Sequence, residues 1–236
     1  MVITPESVGE RLQEALAVIR EALAECGEPT RAIRVMAVTK THPADAAAAA
    51  IAAGIRLIGE NRVSEGGRKI ARLGRDSAEF HLIGPLHTGE VRQAVRDFHS
   101  IDSLDRLKVA AEIARRITPG SSPAPQVMVE VNTSGEVSKH GFPPDAGLLE
   151  EALLTFTGMG LAVSGLLTVG PLPGGDVSPR EAFALLRKLR DRLSASTGIP
   201  LKELSMGMSD DYRVAVLEGA TTVRLGRFLF GERTYG

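Results

Sequence analysis

Cysteine is nearly absent from this chain. Cys26 stands alone, so no internal disulfide can form. It falls in an amphipathic helical pattern and reads as a half-buried helix residue rather than a reactive thiol. No uninterrupted apolar stretch approaches the ~20 residues of a membrane span. The opening residues, Met1 to Glu6, lack the basic start and apolar run of a signal peptide. No basic block stands out and the net charge is −1, which disfavours nucleic acid or an anionic membrane as partner. No G-x-G-x-x-G follows the first strand, which argues against a dinucleotide site. No cluster of His, Cys, Asp or Glu has metal-ligand spacing. A cytoplasmic protein without membrane or nucleic-acid partners is the expectation.

Lysine is scarce as well. Of 28 basic residues, 22 are Arg and 6 are Lys. Arginine stays protonated and cannot act as an amine nucleophile, whereas lysine can once its pKa is lowered. One lysine, Lys40, ends the run Arg34-Val35-Met36-Ala37-Val38-Thr39-Lys40, which reads as a buried strand. Taken alone, a lysine at a strand end snorkels into solvent. Its surroundings suggest a use.

The chain alternates short apolar strands with amphipathic helices. A helix is predicted over Pro5 to Glu25, then a strand ending at Lys40 and a helix from Pro43 closed by Gly54. Strands follow at 57–61, 80–84, 99–103, 126–132, 161–169, 203–206 and 222–225. The intervening helices run to about Leu73, around Val91–Val95, and over 104–117, 144–156, 179–194 and 212–218. The stretches 118–125 and 171–176 read as loops. Eight strands without hairpins predict a parallel sheet with crossover helices. In 236 residues the pattern predicts one (β/α)8 TIM barrel, a single domain over residues 1–236 with an extra N-terminal helix. The rival is an open doubly wound sheet.

A barrel of this kind carries its site at the C-terminal ends of the strands. Those ends include Lys40, Asn61, Ser205, Arg224 and Gly226. By strand parity Lys40 shares a face with Met36 and Val38, and Asn61 with Leu57 and Gly59. The turns after strands seven and eight are the usual phosphate location. One is Ser205-Met206-Gly207-Met208-Ser209-Asp210-Asp211, in which Ser209 reads as the N-cap of the next helix. The other is Leu225-Gly226-Arg227-Phe228. Asp210 and Asp211 oppose an anion unless their carboxylates turn outward. An ordinary capped helix explains either turn by itself. An interior lysine beside a phosphate site on a barrel suggests pyridoxal 5′-phosphate (PLP), with Arg224 as a partner for the ring nitrogen.

The ordered series Ala37-Val38-Thr39-Lys40, Ile58-Gly59-Glu60-Asn61, His81-Leu82-Ile83-Gly84, Val131-Asn132-Thr133-Ser134-Gly135 and Ser138-Lys139-His140-Gly141 carries a resemblance. It continues with Gly165 to Gly170, Leu204 to Ser209, Val223 to Gly226 and Phe230-Gly231-Glu232-Arg233. With these motifs the chain resembles the YggS/PROSC-type PLP homeostasis proteins, whose fold is like the N-terminal barrel domain of alanine racemase. The resemblance implies that Lys40 carries PLP as a Schiff base. It implies phosphate contacts from Ser209, Gly226 and Arg227, the last two through backbone N–H. It places Arg224 at the pyridine nitrogen, Asn61 near the ring and Ser205 close by. It also implies a monomer or weak dimer whose partners include PLP-dependent apo-enzymes. Arg62 stands where the family often has an aromatic residue, and Pro85 to Glu90 depart from its common pattern.

Two activities fit such a chain. One is a carrier that holds and exchanges PLP in vitamin B6 homeostasis, without established turnover. The other is a small PLP-dependent amino-acid racemase. An arginine at the ring nitrogen discourages its protonation and weakens the cofactor as an electron sink. Related racemases add a β domain that supplies a catalytic tyrosine, and the only tyrosines here are Tyr212 and Tyr235. A PLP-free lysine aldolase is a further rival. His81, His87 and His140 read as packing or loop residues.

Overall fold

Eight short parallel strands, each followed by a helix, close into a barrel in chain order. The computed structural model describes residues 3–117, 124–172 and 177–231. The strands are β1 (Arg34–Val38), β2 (Leu57–Glu60), β3 (Glu79–Leu82), β4 (Ser100–Leu104), β5 (Gln126–Glu130), β6 (Val163–Leu167), β7 (Glu203–Ser205) and β8 (Thr222–Leu225). The helices are α1 (Pro5–Glu25), α2 (Ala44–Ala52), α3 (Val63–Leu73), α4 (Val91–Asp97), α5 (Leu107–Arg116), α6 (Ala146–Gly158), α7 (Pro179–Thr197), α8 (Tyr212–Leu217) and α9 (Arg227–Phe230). Closure comes from β1 pairing with β8, Met36 opposite Arg224 and Ala37 opposite Leu225. This is the predicted TIM barrel with its extra N-terminal helix.

Two faces of the strands do different work. Outward residues such as Ala37, Ile58, Phe80, Leu82, Val129 and Val223 join the helices in one continuous apolar layer. Each of the larger ones, Ala37 excepted, contributes ~1.5–3 kcal/mol when fully buried. The inward face has only a small apolar cluster, Met36, Val38 and Leu57, with Ile83 against it. Many of the other inward positions are polar and buried, among them His81, Ser100, Asp102, Glu130, Ser205 and Arg224. Polar groups held there must bond one another, because unpaired burial is costly. Gly59 lies on this crowded inner face, where a Cβ would sit 2.6 Å from Met36 Sδ.

α1 starts at a capping box in which Thr4 and Ser7 satisfy each other's backbone N–H. It packs against α2, α8 and α9. Arg11 Nη1 donates to Leu229 O at 3.0 Å, so α1 holds α9 beside the barrel mouth. α7 opens with Ser178 and Pro179 in a second capping box.

Several boundaries differ from the sequence reading. β1 stops at Val38 rather than Lys40, although Thr39 N still donates to Gly59 O at 3.1 Å. The chain then turns sharply, with Thr41 at φ +66°. α9 was not foreseen. The reading of 118–125 as a loop falls mainly on residues outside those described, as does the part of the 171–176 loop from 173 onward, together with Glu232, Arg233 and Tyr235. Among the described residues no helix is long and apolar enough to cross a membrane.

Candidate functional site

Lys40 stands just past the end of β1, with its neighbours in the turn 39–42 strongly constrained. Thr39 O accepts from His42 N at 3.1 Å, and Thr41 Oγ1 donates to Lys40 O at 2.6 Å. Thr41 N donates to Glu65 Oε1 at 2.7 Å. A second lysine lies behind this turn. Lys69 of α3 is buried and donates to Thr39 O at 2.6 Å, Glu60 Oε1 at 2.7 Å and Glu65 Oε1 at 2.9 Å. Thr39 Oγ1 makes a short hydrogen bond to the same Glu60 oxygen. Burial pushes the Glu60 carboxyl above its usual range, and Lys69 and Thr39 oppose that. Among the described residues Glu60 Oε2 accepts no hydrogen bond. The sequence reading missed Lys69. Its placement on the buried face of a helix, beside Ile70, was the available signal.

A cavity of about 400 Å³ opens at the mouth, bounded by Val38, Lys40, His42, Ile83, Met208 to Asp210, Arg224, Gly226, Arg227 and Gly231. Its size falls in the usual range for small-molecule pockets. Lys40, Ser209, Arg224, Gly226 and Arg227 of the sequence-derived set thus share one cavity. Asn61 sits at the exit of β2, outside that lining. Ser205 lies behind Arg224 and receives Nη1 at 2.8 Å. Arg224 Nη2 donates to Thr168 O at 2.7 Å, so the guanidinium is fixed from two strands. Burial lowers the Arg224 pKa, while Glu130, Asp211 and Asp102 counter it by charge. The guanidinium remains a donor throughout. His42, which the sequence reading passed over, joins the wall with its ring 5.2 Å from that of Phe230.

The two predicted turns meet, but differently from the reading. Ser209 does not cap α8. The helix begins only at Tyr212, with Asp211 at the cap position. The turn 208–211 is closed by Tyr212 N to Met208 O at 2.8 Å and by Met208 N to Asp211 Oδ1 at 2.5 Å. Ser209 Oγ instead accepts from Phe228 N at 3.1 Å. The hydroxyl still has its own hydrogen to donate. Asp210 is engaged by Arg227 in a short ion pair. Asp211 is turned back onto the Met208 N–H, and burial pushes its carboxyl up. Gly226 passes close to β1: a Cβ there would meet Val38 O at 3.3 Å.

Deeper in the barrel, His81 Nδ1 and Asp102 Oδ2 are 2.8 Å apart, and Ser100 Oγ donates to Asp102 Oδ1 at 2.5 Å. Burial pulls the His81 pKa down, but the charge and hydrogen bond of Asp102, helped by Glu79, raise it to about 9. His81 is therefore part of a buried ion pair, more than a packing residue. Glu130 faces this polar interior, and burial together with Asp105 raises its pKa to about 7 against the pull of Arg224 and Arg106. His140 is exposed on a loop. His87 precedes the short 3-10 turn Thr88–Glu90 and donates its backbone N–H to Glu90 at 3.4 Å. Among the described residues no group of three or more His, Cys, Asp or Glu is placed to hold a metal.

Comparison with known proteins agrees with this fold. The family model described as alanine racemase, N-terminal domain, matches residues 11–234. A pyridoxal phosphate homeostasis protein of Pseudomonas aeruginosa is 38% identical over 231 residues, covering 98% of this chain and 97% of that one. The chain belongs to the family of pyridoxal phosphate homeostasis proteins. The human protein of that name is 37% identical over 241 residues, covering 97% of this chain and 85% of its own. Among solved structures, PipY of Synechococcus elongatus without PLP aligns with TM-score 0.81 at 32% identity, covering 95% of this chain and all of that one. PipY with PLP bound aligns with TM-score 0.75 at 33% identity, covering 90% of this chain and 100% of that one. An alanine racemase of Clostridium difficile shares the fold, with TM-score 0.72 at 16% identity, covering 96% of this chain and 58% of that one.

Proposed function

We propose that this protein binds pyridoxal 5′-phosphate in the mouth cavity, holds it as a Schiff base on Lys40, and exchanges it with PLP-dependent apo-enzymes. The carrying observation is that one cavity is bounded by Lys40, by the doubly braced Arg224, and by the joined turns of Ser209 and Gly226. Family membership supports the same ligand, since PipY has been solved with PLP bound.

Bound there, the cofactor supplies an aldehyde that condenses with an amine and releases water. Lys40 is the amine that bounds the cavity. Ser209 Oγ–H and the backbone of Gly226 and Arg227 hold the phosphate. Arg224 donates to the ring nitrogen and keeps it unprotonated, which favours holding over carbanion chemistry. Asn61, at the exit of β2, is assigned to the ring by the family resemblance rather than by the cavity lining, and Ser205 acts by fixing Arg224. Tyr212 supports the carrier reading over the racemase. It is buried at the start of α8 with its ring against that of Phe228, and it is not among the residues that bound the cavity. A cytoplasmic protein, monomeric or weakly dimeric, is part of the same proposal.

The test is an absorbance spectrum with borohydride trapping and peptide mapping, followed by transfer of PLP to an apo-enzyme. Trapped cofactor on the Lys40 peptide and reactivation of the apo-enzyme are the expected results. No trapped PLP at Lys40 sinks the covalent claim. Sustained deuterium exchange at Cα of amino acids, lost in Lys40→Ala, makes the protein a racemase instead.

A further inference from the structure

Lys69 does not bound the mouth cavity, yet it is buried and held by three hydrogen bonds. Its ammonium has three N–H donors, and each has an acceptor: Thr39 O, Glu60 Oε1 and Glu65 Oε1, at 2.6, 2.7 and 2.9 Å. Two of these acceptors lead back to the flanks of Lys40. Thr39 O belongs to the residue before it. Glu65 Oε1 also accepts the N–H of Thr41, the residue after it, at 2.7 Å.

Thr41 needs that support. Its φ of +66° lies in the left-handed region, where a β-branched residue is a genuine outlier. Its side chain is exposed, so packing does not hold it there. Hydrogen bonds must. They are the Glu65 contact, the Thr41 hydroxyl on Lys40 O at 2.6 Å, and His42 N on Thr39 O at 3.1 Å. Glu60 anchors the far end. It is fully buried on β2 and receives both Lys69 and the Thr39 hydroxyl.

We propose that Lys69 is the positioning residue for the Lys40 amine: through Thr39, Glu60 and Glu65 it clamps the backbone on both sides of Lys40 and so aims the amine into the cavity. The inference rests on the reading that Lys40 takes the cofactor aldehyde. In that step the deprotonated amine adds to the aldehyde carbon, and C=N replaces C=O as water leaves. Lys69 exchanges no proton in it. Its effect is on geometry, and misplacement of a reacting group by about 1 Å costs on the order of a hundredfold in rate.

The test compares the full-length protein with Lys69→Met and Glu65→Ala. Glu65 is partly exposed, and its removal leaves the buried Lys69–Glu60 pair intact, so that variant folds even where Lys69→Met does not. Three quantities are read: the rate of imine absorbance on mixing with PLP, the affinity for pyridoxine 5′-phosphate, and acylation of Lys40 by an amine reagent, mapped by mass spectrometry. Pyridoxine 5′-phosphate has an alcohol in place of the aldehyde and reports the phosphate and ring contacts alone. The expected result is imine formation slowed about ten- to a hundredfold, with altered Lys40 acylation and unchanged pyridoxine 5′-phosphate affinity. Unchanged imine formation in both variants overturns the positioning role and leaves the Lys40 reading standing. A proportional loss of imine and of pyridoxine 5′-phosphate binding also overturns it, because Lys69 then only maintains the fold. Absence of any imine on Lys40 in the unaltered protein overturns both.

Discussion

Ser209 Oγ accepts the backbone N–H of Phe228 at 3.1 Å, tying the turn after β7 to the first turn of α9. The two segments that would hold a phosphate are thus one unit. In Ser209→Ala, Phe228 loses its acceptor and the cavity loses a hydroxyl. Stability is expected to fall by ~1 kcal/mol. PLP affinity falls by roughly tenfold, since a hydrogen bond to a charged group is worth ~1.5–3 kcal/mol. Pyridoxal without phosphate binds the variant and the unaltered protein equally. Fluorescence titration with both ligands checks this.

Lys40→Ala is expected to fold normally, because Lys40 is half-exposed and its removal opens no core cavity. Its thermal midpoint stays close to that of the unaltered protein. Borohydride then traps no cofactor, and the imine absorbance is absent. Reversible binding through the phosphate contacts persists at lower affinity.

Arg224→Met keeps the volume but leaves Ser205 Oγ and Thr168 O without their guanidinium donor. Urea unfolding should show a loss of ~1–3 kcal/mol for those buried groups. The Glu130 pKa should rise further, because Arg224 is a cation that holds it down. Bound PLP should show a shifted absorbance maximum, since its ring nitrogen loses a permanent donor.

Stability should decline as the solution becomes alkaline. Glu130 has a folded pKa of about 7 against an ordinary 4.5, so the native state keeps a proton the unfolded chain releases. That contribution is full below 4.5 and is lost as pH rises through about 7. His81 sits at about 9 against 6.5, so its contribution is full below 6.5 and is lost as pH rises through about 9. Thermal midpoints measured from mildly acidic to alkaline pH should fall across both windows. Glu130→Gln should shrink the decline in the lower window, leaving there the share of Glu60 and Asp211, whose carboxyls burial also pushes up, and should leave the upper window in place.

Gly59→Ala places a methyl 2.6 Å from Met36 Sδ and 3.2 Å from Ile83 Cδ1. Overpacking of this kind costs ~1–3 kcal/mol, softened here because Met36 is flexible. The displaced Met36 and Ile83 belong to the small inner cluster that holds Val38 at the end of β1, so imine formation should slow as well. Urea denaturation and stopped-flow absorbance separate the two effects.

The barrel was legible because its strands are written locally. Runs such as Val127-Met128-Val129 are apolar on both faces, and glycines or prolines separate them from helices with their own start signals, as at Ser178 and Pro179. The site was partly legible for a similar reason. Strand ends become the mouth of a closed barrel, so the placing of Lys40, Arg224 and Gly226 at one cavity followed from their positions. Ser209 was placed in the right turn but given the wrong partner. A serine before a helix is ordinarily a cap, and its contact with Phe228 spans 19 residues of chain. α9 escaped notice because four residues carry no periodicity.

By itself, then, the amino-acid sequence determined the order of strands and helices, the closure expected of eight such units, and the scarcity that singles out Lys40. These depend on hydrophobic period and residue type, which are local properties. Only the tertiary structure decided which polar groups face one another. Lys69 meets Thr39 across 30 residues of chain, His81 meets Asp102 across 21, and Arg224 meets Thr168 across 56. A buried polar group must find a partner, but which one depends on how the closed barrel stacks its strands side by side.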